Sequence, residues 1–265
     1  MAKIITLVSP IGAFGKSTLC VSLAHALALM EKRVLLVDLS PHSPSLSSLL
    51  SLSESVVYTV FDIVDGAADA KTVILPALEK KGKGEWQRIA LAPILPSFSA
   101  SAEGVAEAVT ALAKEYQADF VIIDASLEMY PSLAAVSDER ILLTDARESS
   151  LLAAEALSYH YAEENPFTYF VLKSSLVYER IVKTEPLLDV IDRLSVSLLG
   201  VLPVSSLLSD KGLLTEKKDA RLPYARAVKN IAARICGESV PLLRGVALQG
   251  ISRRAFIERC TKDKT

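Results

Sequence analysis

Short runs dominated by Ile, Val and Leu recur along the chain at 3–8, 33–37, 86–92, 120–123, 140–143, 169–172 and 198–202. In most of them successive residues are apolar, rather than alternate ones, which predicts strands covered on both faces. Longer stretches at 16–30, 102–115, 150–161, 185–193 and 222–235 predict helices, each long enough to carry a crossover between parallel strands or to cover the sheet. The alternation predicts an α/β fold, a doubly wound, mostly parallel sheet of about seven or eight strands flanked by helices. No internal repeat or linker divides the pattern, so 1–265 reads as one domain, with 238–265 as a basic C-terminal tail. Residues 79–85 (EKKGKGE) read as a charged, glycine-broken surface loop.

Composition agrees with this pattern. Hydrophobic residues make up 51% of the chain and aromatic ones only 6%, so the apolar weight falls on Leu, Val, Ile and Ala, the residues of helices packed on a buried sheet. Cys20, Cys236 and Cys260 lie far apart with no CxxC pair, which predicts neither a disulfide framework nor a zinc site and fits a reducing compartment. The apolar run near Met1 is too short for a signal peptide, and nowhere do 18 apolar residues run without charge. The expected location is the cytoplasm, with room for peripheral contact with membrane or nucleoid.

The net charge of −2 hides an uneven distribution. Residues 211–265 carry 13 Lys and Arg against 5 Asp and Glu, whereas residues 1–210 carry 16 against 26. The basic positions include Lys217, Lys218, Arg221, Arg226, Lys229, Arg234, Arg253, Arg254 and Arg259. Two readings stand side by side: a cationic surface for DNA or anionic membrane, and an ordinary solvated helix face. Around Phe256 and Ile257 the apolar side chains scatter about a helical wheel, so packing of this segment on the body is at least as good a reading as membrane insertion.

The chemistry-bearing motif follows the first strand and opens the first helix: Ser9-Pro10-Ile11-Gly12-Ala13-Phe14-Gly15-Lys16-Ser17-Thr18. It meets the phosphate-loop pattern GxxxxGK[ST] at Gly15, Lys16 and Ser17, with Pro10 in place of the first glycine. Backbone N–H groups from Gly12, Ala13, Phe14 and Gly15 would cradle phosphates, aided by the helix N-terminus. Lys16 would face the β- and γ-phosphates, Ser17 would ligate Mg²⁺, and Thr18 would reach the α-phosphate. Asp38 and Asp124 close two strands at the edge where open α/β sheets bind ligands, which makes both candidates to face Mg²⁺ through water and to act in catalysis. Taken singly, an Asp after a strand more often caps its loop.

These residues resemble the MinD/ParA family of deviant Walker A P-loop ATPases over most of the chain. IGAFGKST at 11–18 follows the family's KGGxGK[ST][ST] loop, LLVDLSPHSPSL at 35–46 resembles its strand-DxDPQ segment, and VIIDAS at 121–126 its Walker B strand. RILLTDARESSLLAAEAL at 140–157 is similar to the strand leading to its TxPExSS helix, and SLLGVLP at 197–203 to the strand whose proline, here Pro203, closes the adenine pocket. The resemblance implies ATP or ADP with Mg²⁺, a homodimer formed on ATP, a protein partner, and work in placing cellular machinery: the division site, a chromosome or plasmid, a flagellum or a pilus. It also implies DNA or membrane contact through the basic C-terminal region in some members.

The departures bear on mechanism. The family's signature lysine, which reaches the partner's phosphates, falls at Ile11, and a loop glycine falls at Ala13. The second aspartate of DxD falls at Ser40, the following glutamine at His42, and the adenine-reading asparagine within Lys173-Ser174-Ser175. Phosphoryl transfer depends on positioning and electrostatics, so loss of a phosphate cation and a water-orienting acid implies weak hydrolysis with binding less affected. His42 in its Ser/Pro-rich turn reads as an exposed residue, His25 as a packed or partly exposed helix residue and His160 as a helix-end residue. Two other readings remain: a scaffold of the same ancestry that does not hydrolyse nucleotide or does not bind it, and a biosynthetic P-loop enzyme.

Overall fold

The computed structural model describes residues 1–10, 15–40, 45–77, 88–94, 103–125, 130–174, 187–203 and 222–241. Its strands are β1 (Lys3–Val8), β2 (Val34–Asp38), β3 (Leu75–Pro76), β4 (Ile89–Ala92), β5 (Phe120–Asp124), β6 (Glu139–Asp145), β7 (Tyr169–Ser174) and β8 (Ser197–Pro203). Its helices among the described residues are α1 (Lys16–Leu29), α2 (Ser45–Leu49), α3 (Val60–Val64), α4 (Ala70–Val73), α5 (Val105–Tyr116), α6 (Ser132–Val136), α7 (Glu148–His160), α8 (Leu187–Leu194) and α9 (Pro223–Ile235). The eight strands form a mostly parallel sheet, as the alternating pattern predicts.

Two compact units contribute to it. The first carries β1 to β5 with α1 to α6, and its strands run in the order β3-β4-β2-β5-β1. Its three central strands, β2, β5 and β1, pair in parallel, with Val34 opposite Phe120 and Ile4 opposite Val121. Every residue of β2, β4 and β5 is buried, the burial expected of unbroken Val, Ile and Leu runs. α1 packs against β1, β2, β4 and β5 and is buried at every position from Leu19 to Ala28, His25 included. At the opposite end of the strands, Ile4 N donates to Asp138 Oδ2 at 2.8 Å, and the Ser137 hydroxyl donates to Leu133 O at 2.6 Å.

The second unit carries most of β6, then β7, β8, α7, α8 and α9, with β6-β7-β8 parallel. The ladder between β7 and β8 shifts register at Phe170 and Val171. α9 packs on β8 over Gly200, where a Cβ would lie 2.7 Å from Ile231 Cγ1. On its surface Arg193 of α8 reaches two carboxylates of α7, Glu155 at 2.6 Å and Glu148 at 2.7 Å.

The sequence pattern did not predict β3 or the short helices α2, α3, α4 and α6. β3 is a two-residue antiparallel edge strand containing Pro76, a residue tolerated at sheet edges and too little for a period to register. The short helices have four or five residues, too few for a period to register, and two of them carry local caps: Asp69 Oδ1 accepts from Thr72 N at 2.8 Å, and Thr59 forms a capping box with Asp62. The strand expected from residue 86 begins among the described residues at Ile89, and loop 79–85 lies outside them.

Candidate nucleotide-binding site

Gly15 caps α1 with φ 82° and ψ 23°, a left-handed conformation that costs other residues their Cβ clearance, which explains the second glycine of the motif. Its carbonyl accepts the first helical hydrogen bond, from Leu19 N at 3.0 Å. Lys16 therefore starts the helix, and Ser17 and Thr18 follow in the same turn, all three partly exposed. The burial of α1 from Leu19 onward fixes the direction in which that first turn points.

Lys16 is 18% exposed at its side chain, and its ammonium forms an ion pair with Oδ1 of Asp124. Asp124 ends β5 and is wholly buried. Neither of its carboxylate oxygens accepts a hydrogen bond among the described residues, so Lys16 is its counter-charge there. Asp38 stands opposite Asp124 in register at the end of β2, equally buried, but is satisfied by the backbone. Its Oδ1 accepts from Ser40 N at 3.1 Å and its Oδ2 from Leu46 N at 3.0 Å, which ties the chain after β2 to the first turn of α2. Ser40 also donates its hydroxyl to the Asp124 carbonyl at 3.3 Å, beside the Leu39 N bond to the same oxygen at 2.9 Å.

Burial governs the electrostatics. It pushes Asp38 up to about 6, against the opposing pull of the Ser40 and Leu46 N–H groups and the Lys16 charge. It lowers Lys16 from the ordinary lysine range, while Cys20 and Asp38 act in the opposite sense. It lifts the thiol of Cys20, one helical turn beyond Lys16, to about 12.

Asp38 caps its loop. Asp124 accepts no such bond from the described residues, and its buried Oδ2 could face a hydrated Mg²⁺. Ser17 stands two residues after the capping Gly15, in the same first turn as Lys16, whose ammonium reaches that carboxylate.

Other predicted positions lie elsewhere. Pro203 is the last residue of β8 and Lys173 lies in β7, both in the second unit and partly exposed. Gly12, Ala13, Phe14, Ile11 and His42 lie outside the described residues, as do Lys217, Lys218, Arg221, Arg253, Arg254 and Arg259. Of the basic residues counted toward a cationic surface, Arg234 is committed to the fold. Its guanidinium donates to Leu199 O at 2.5 Å, Pro241 O at 2.7 Å and Val240 O at 3.0 Å, and it is half-buried in doing so.

Sequence reasoning treated Ser40 only as the place of a missing acid and did not anticipate its bonds. The Asp-x-Ser turn, in which a side chain accepts from the N–H two residues on, is the signal that carries them.

Residues 5–213 match the model of the CobQ/CobB/MinD/ParA nucleotide binding domain. The chain belongs to that family. It is 26% identical to the septum site-determining protein MinD of Bacillus subtilis, over 91% of this chain and 92% of that protein. It is 28% identical to MinD of Synechocystis, over 92% of each. In fold it matches the Aquifex aeolicus MinC:MinD cell division protein complex with a TM-score of 0.78, covering 92% of this chain and 99% of that one at 22% identity. MinD of Pyrococcus horikoshii, complexed with Mg-ADP, matches with a TM-score of 0.73 over 89% of this chain and 96% of its own, at 24% identity. The MinD/ParA fold therefore extends over both units. Among the described residues no helix is long and apolar enough to cross a membrane.

Proposed function

We propose that the chain is a MinD-like ATP-binding switch that binds ATP and ADP with Mg²⁺ at residues 12–18, hydrolyses ATP weakly, and acts as a nucleotide-dependent homodimer in spatial positioning. The convergence of Lys16, which opens the helix after the loop, with Asp124, which ends the strand beside β1, carries this reading. The septum-site names of the relatives favour the division site over partitioning, flagellar or pilus placement, and a MinD solved with MinC supports a protein partner.

Each residue has a part in it. The loop amides and Lys16 would hold the phosphates and Thr18 would reach the α-phosphate, while Pro203 is assigned to the adenine by the family resemblance alone. When bound, Mg²⁺ neutralises charge on the phosphate oxygens; Ser17 and, through water, Asp124 and Asp38 would hold it. Asp38 would do so from a fixed position, since both its oxygens also accept backbone hydrogen bonds. Hydrolysis is weak for two reasons. Ile11 supplies no charge to a partner's phosphates, and Ser40 offers a neutral hydroxyl, already turned toward the Asp124 carbonyl, where an acid would orient water.

Phosphate release by wild type and Lys16→Ala, measured beside ATP titration, tests this. Tight, Lys16-dependent binding with slow turnover agrees with it, binding without any turnover favours a scaffold, and fast turnover contradicts the weak-ATPase reading. Contact of 211–265 with DNA or anionic membrane is part of the proposal. Sedimentation of full-length and 1–245 protein with anionic liposomes checks the membrane version, which equal sedimentation removes.

A further inference from the structure

The described residues at the site contain one cation and two buried carboxylates, and they use the cation unequally. Asp38 has two backbone N–H donors of its own. Asp124 has no hydrogen-bond donor among the described residues and depends on the Lys16 ammonium. The same ammonium is the group that a phosphate-loop lysine must offer to a nucleotide.

We propose that the Lys16–Asp124 ion pair is an internal competitor for nucleotide phosphate, which makes binding of nucleotide and of its divalent cation mutually dependent. The inference rests on the nucleotide-binding reading above. A phosphate can take Lys16 only by leaving Asp124 buried with no counter-charge among the described residues, and breaking a buried pair from one side is unfavourable. Asp124 regains a counter-charge only when nucleotide arrives with its cation. Conversely, a divalent cation without nucleotide meets Asp124 already paired to an ammonium and gains little there. Each ligand therefore opens the site for the other, and the coupling is reciprocal by linkage.

Replacing the carboxylate by an amide of nearly the same shape releases Lys16. Full-length wild type and Asp124→Asn are titrated with ADP in excess EDTA and in excess MgCl₂. Asp124→Asn should bind Mg²⁺-free ADP on the order of tenfold more tightly than wild type, and the gain that wild type shows on adding Mg²⁺ should shrink by a similar factor. Equal Mg²⁺-free affinities for the two proteins, with binding otherwise intact, overturn the inference alone. Absence of any ADP binding by wild type, with or without Mg²⁺, overturns the nucleotide-binding reading and the inference with it.

A second measurement needs no nucleotide and stands if Asp124→Asn folds poorly. MgCl₂ alone should leave the melting temperature of wild type unchanged and raise that of Lys16→Met by a few degrees, because Asp124 is then unpaired. An equal shift in both proteins contradicts the competition.

Discussion

Asp38 and Asp124 face one another in register at the ends of neighbouring parallel strands, and the two buried carboxylates are satisfied in opposite ways. Asp38 holds backbone through Ser40 N and Leu46 N, whereas Asp124 holds the Lys16 ammonium.

For Asp38→Ala the effect should be local. Two amides lose acceptors, each bond to a charged group being worth about 1.5–3 kcal/mol, while removal of a carboxylate that burial lifts to about 6 works the other way on global stability. Amide exchange at Ser40 and Leu46 should quicken roughly ten- to a hundredfold, with a much smaller change in overall stability. Unchanged exchange at both amides would show that Asp38 does not anchor this turn.

For Lys16→Met the effect on the nucleotide-free protein should be global. Removing one partner of a buried pair costs about 3–5 kcal/mol, and the lower end applies because Lys16 keeps 18% of its side chain exposed. Urea denaturation should show that loss, and Lys16→Met combined with Asp124→Asn should recover most of it. Additive losses in the double variant would mean that the pair contributes nothing.

These contrasts mark where sequence reading stops. The parallel sheet was legible because runs of Val, Ile and Leu such as 33–37 and 120–123 are short, unbroken and set between longer helical stretches, the pattern of strands covered on both faces. The site was legible in outline because Gly15, Lys16 and Ser17 are consecutive and an αL glycine before a helix is a local requirement. The pairing of Lys16 with Asp124 was not, since no periodicity links residues so far apart and their elements meet only in the fold, where α1 packs on β5 and β5 pairs with β1. Nor was the use of Arg234, whose charge suggested a surface and whose three carbonyl partners fasten Pro241 and Val240 to β8. α2 escaped notice for a similar reason, its Leu46 N being held by Asp38, eight residues earlier.

Gly200→Ala tests the packing of α9. The added methyl would lie 2.7 Å from Ile231 Cγ1 and 3.0 Å from its Cδ1, too close for either to remain in place. Overpacking of this kind costs about 1–3 kcal/mol, and thermal unfolding should show it. Gly200→Ala with Ile231→Ala should be less destabilised than the two single losses together; strict additivity would place the strain elsewhere.

Cys20 tests the burial of α1. Its thiol, lifted to about 12 by burial, is protonated in the folded protein at pH 8 and shielded from reagents. Its contribution to stability is complete below the ordinary thiol value of 9.0 and is lost as pH rises through about 12. With Cys236 and Cys260 replaced by Ser, a thiol reagent at pH 8 should label nothing until the protein unfolds. Prompt labelling of the folded protein would contradict the packing of this helix.

The central claim is that Lys16 anchors a nucleotide, and calorimetric titration of full-length protein with ATP in MgCl₂, repeated on Lys16→Ala, tests it most directly. The account predicts saturable binding by wild type, weakened at least tenfold in the variant, with phosphate released far more slowly than nucleotide binds. No binding by wild type, or equal binding by both proteins, would contradict it.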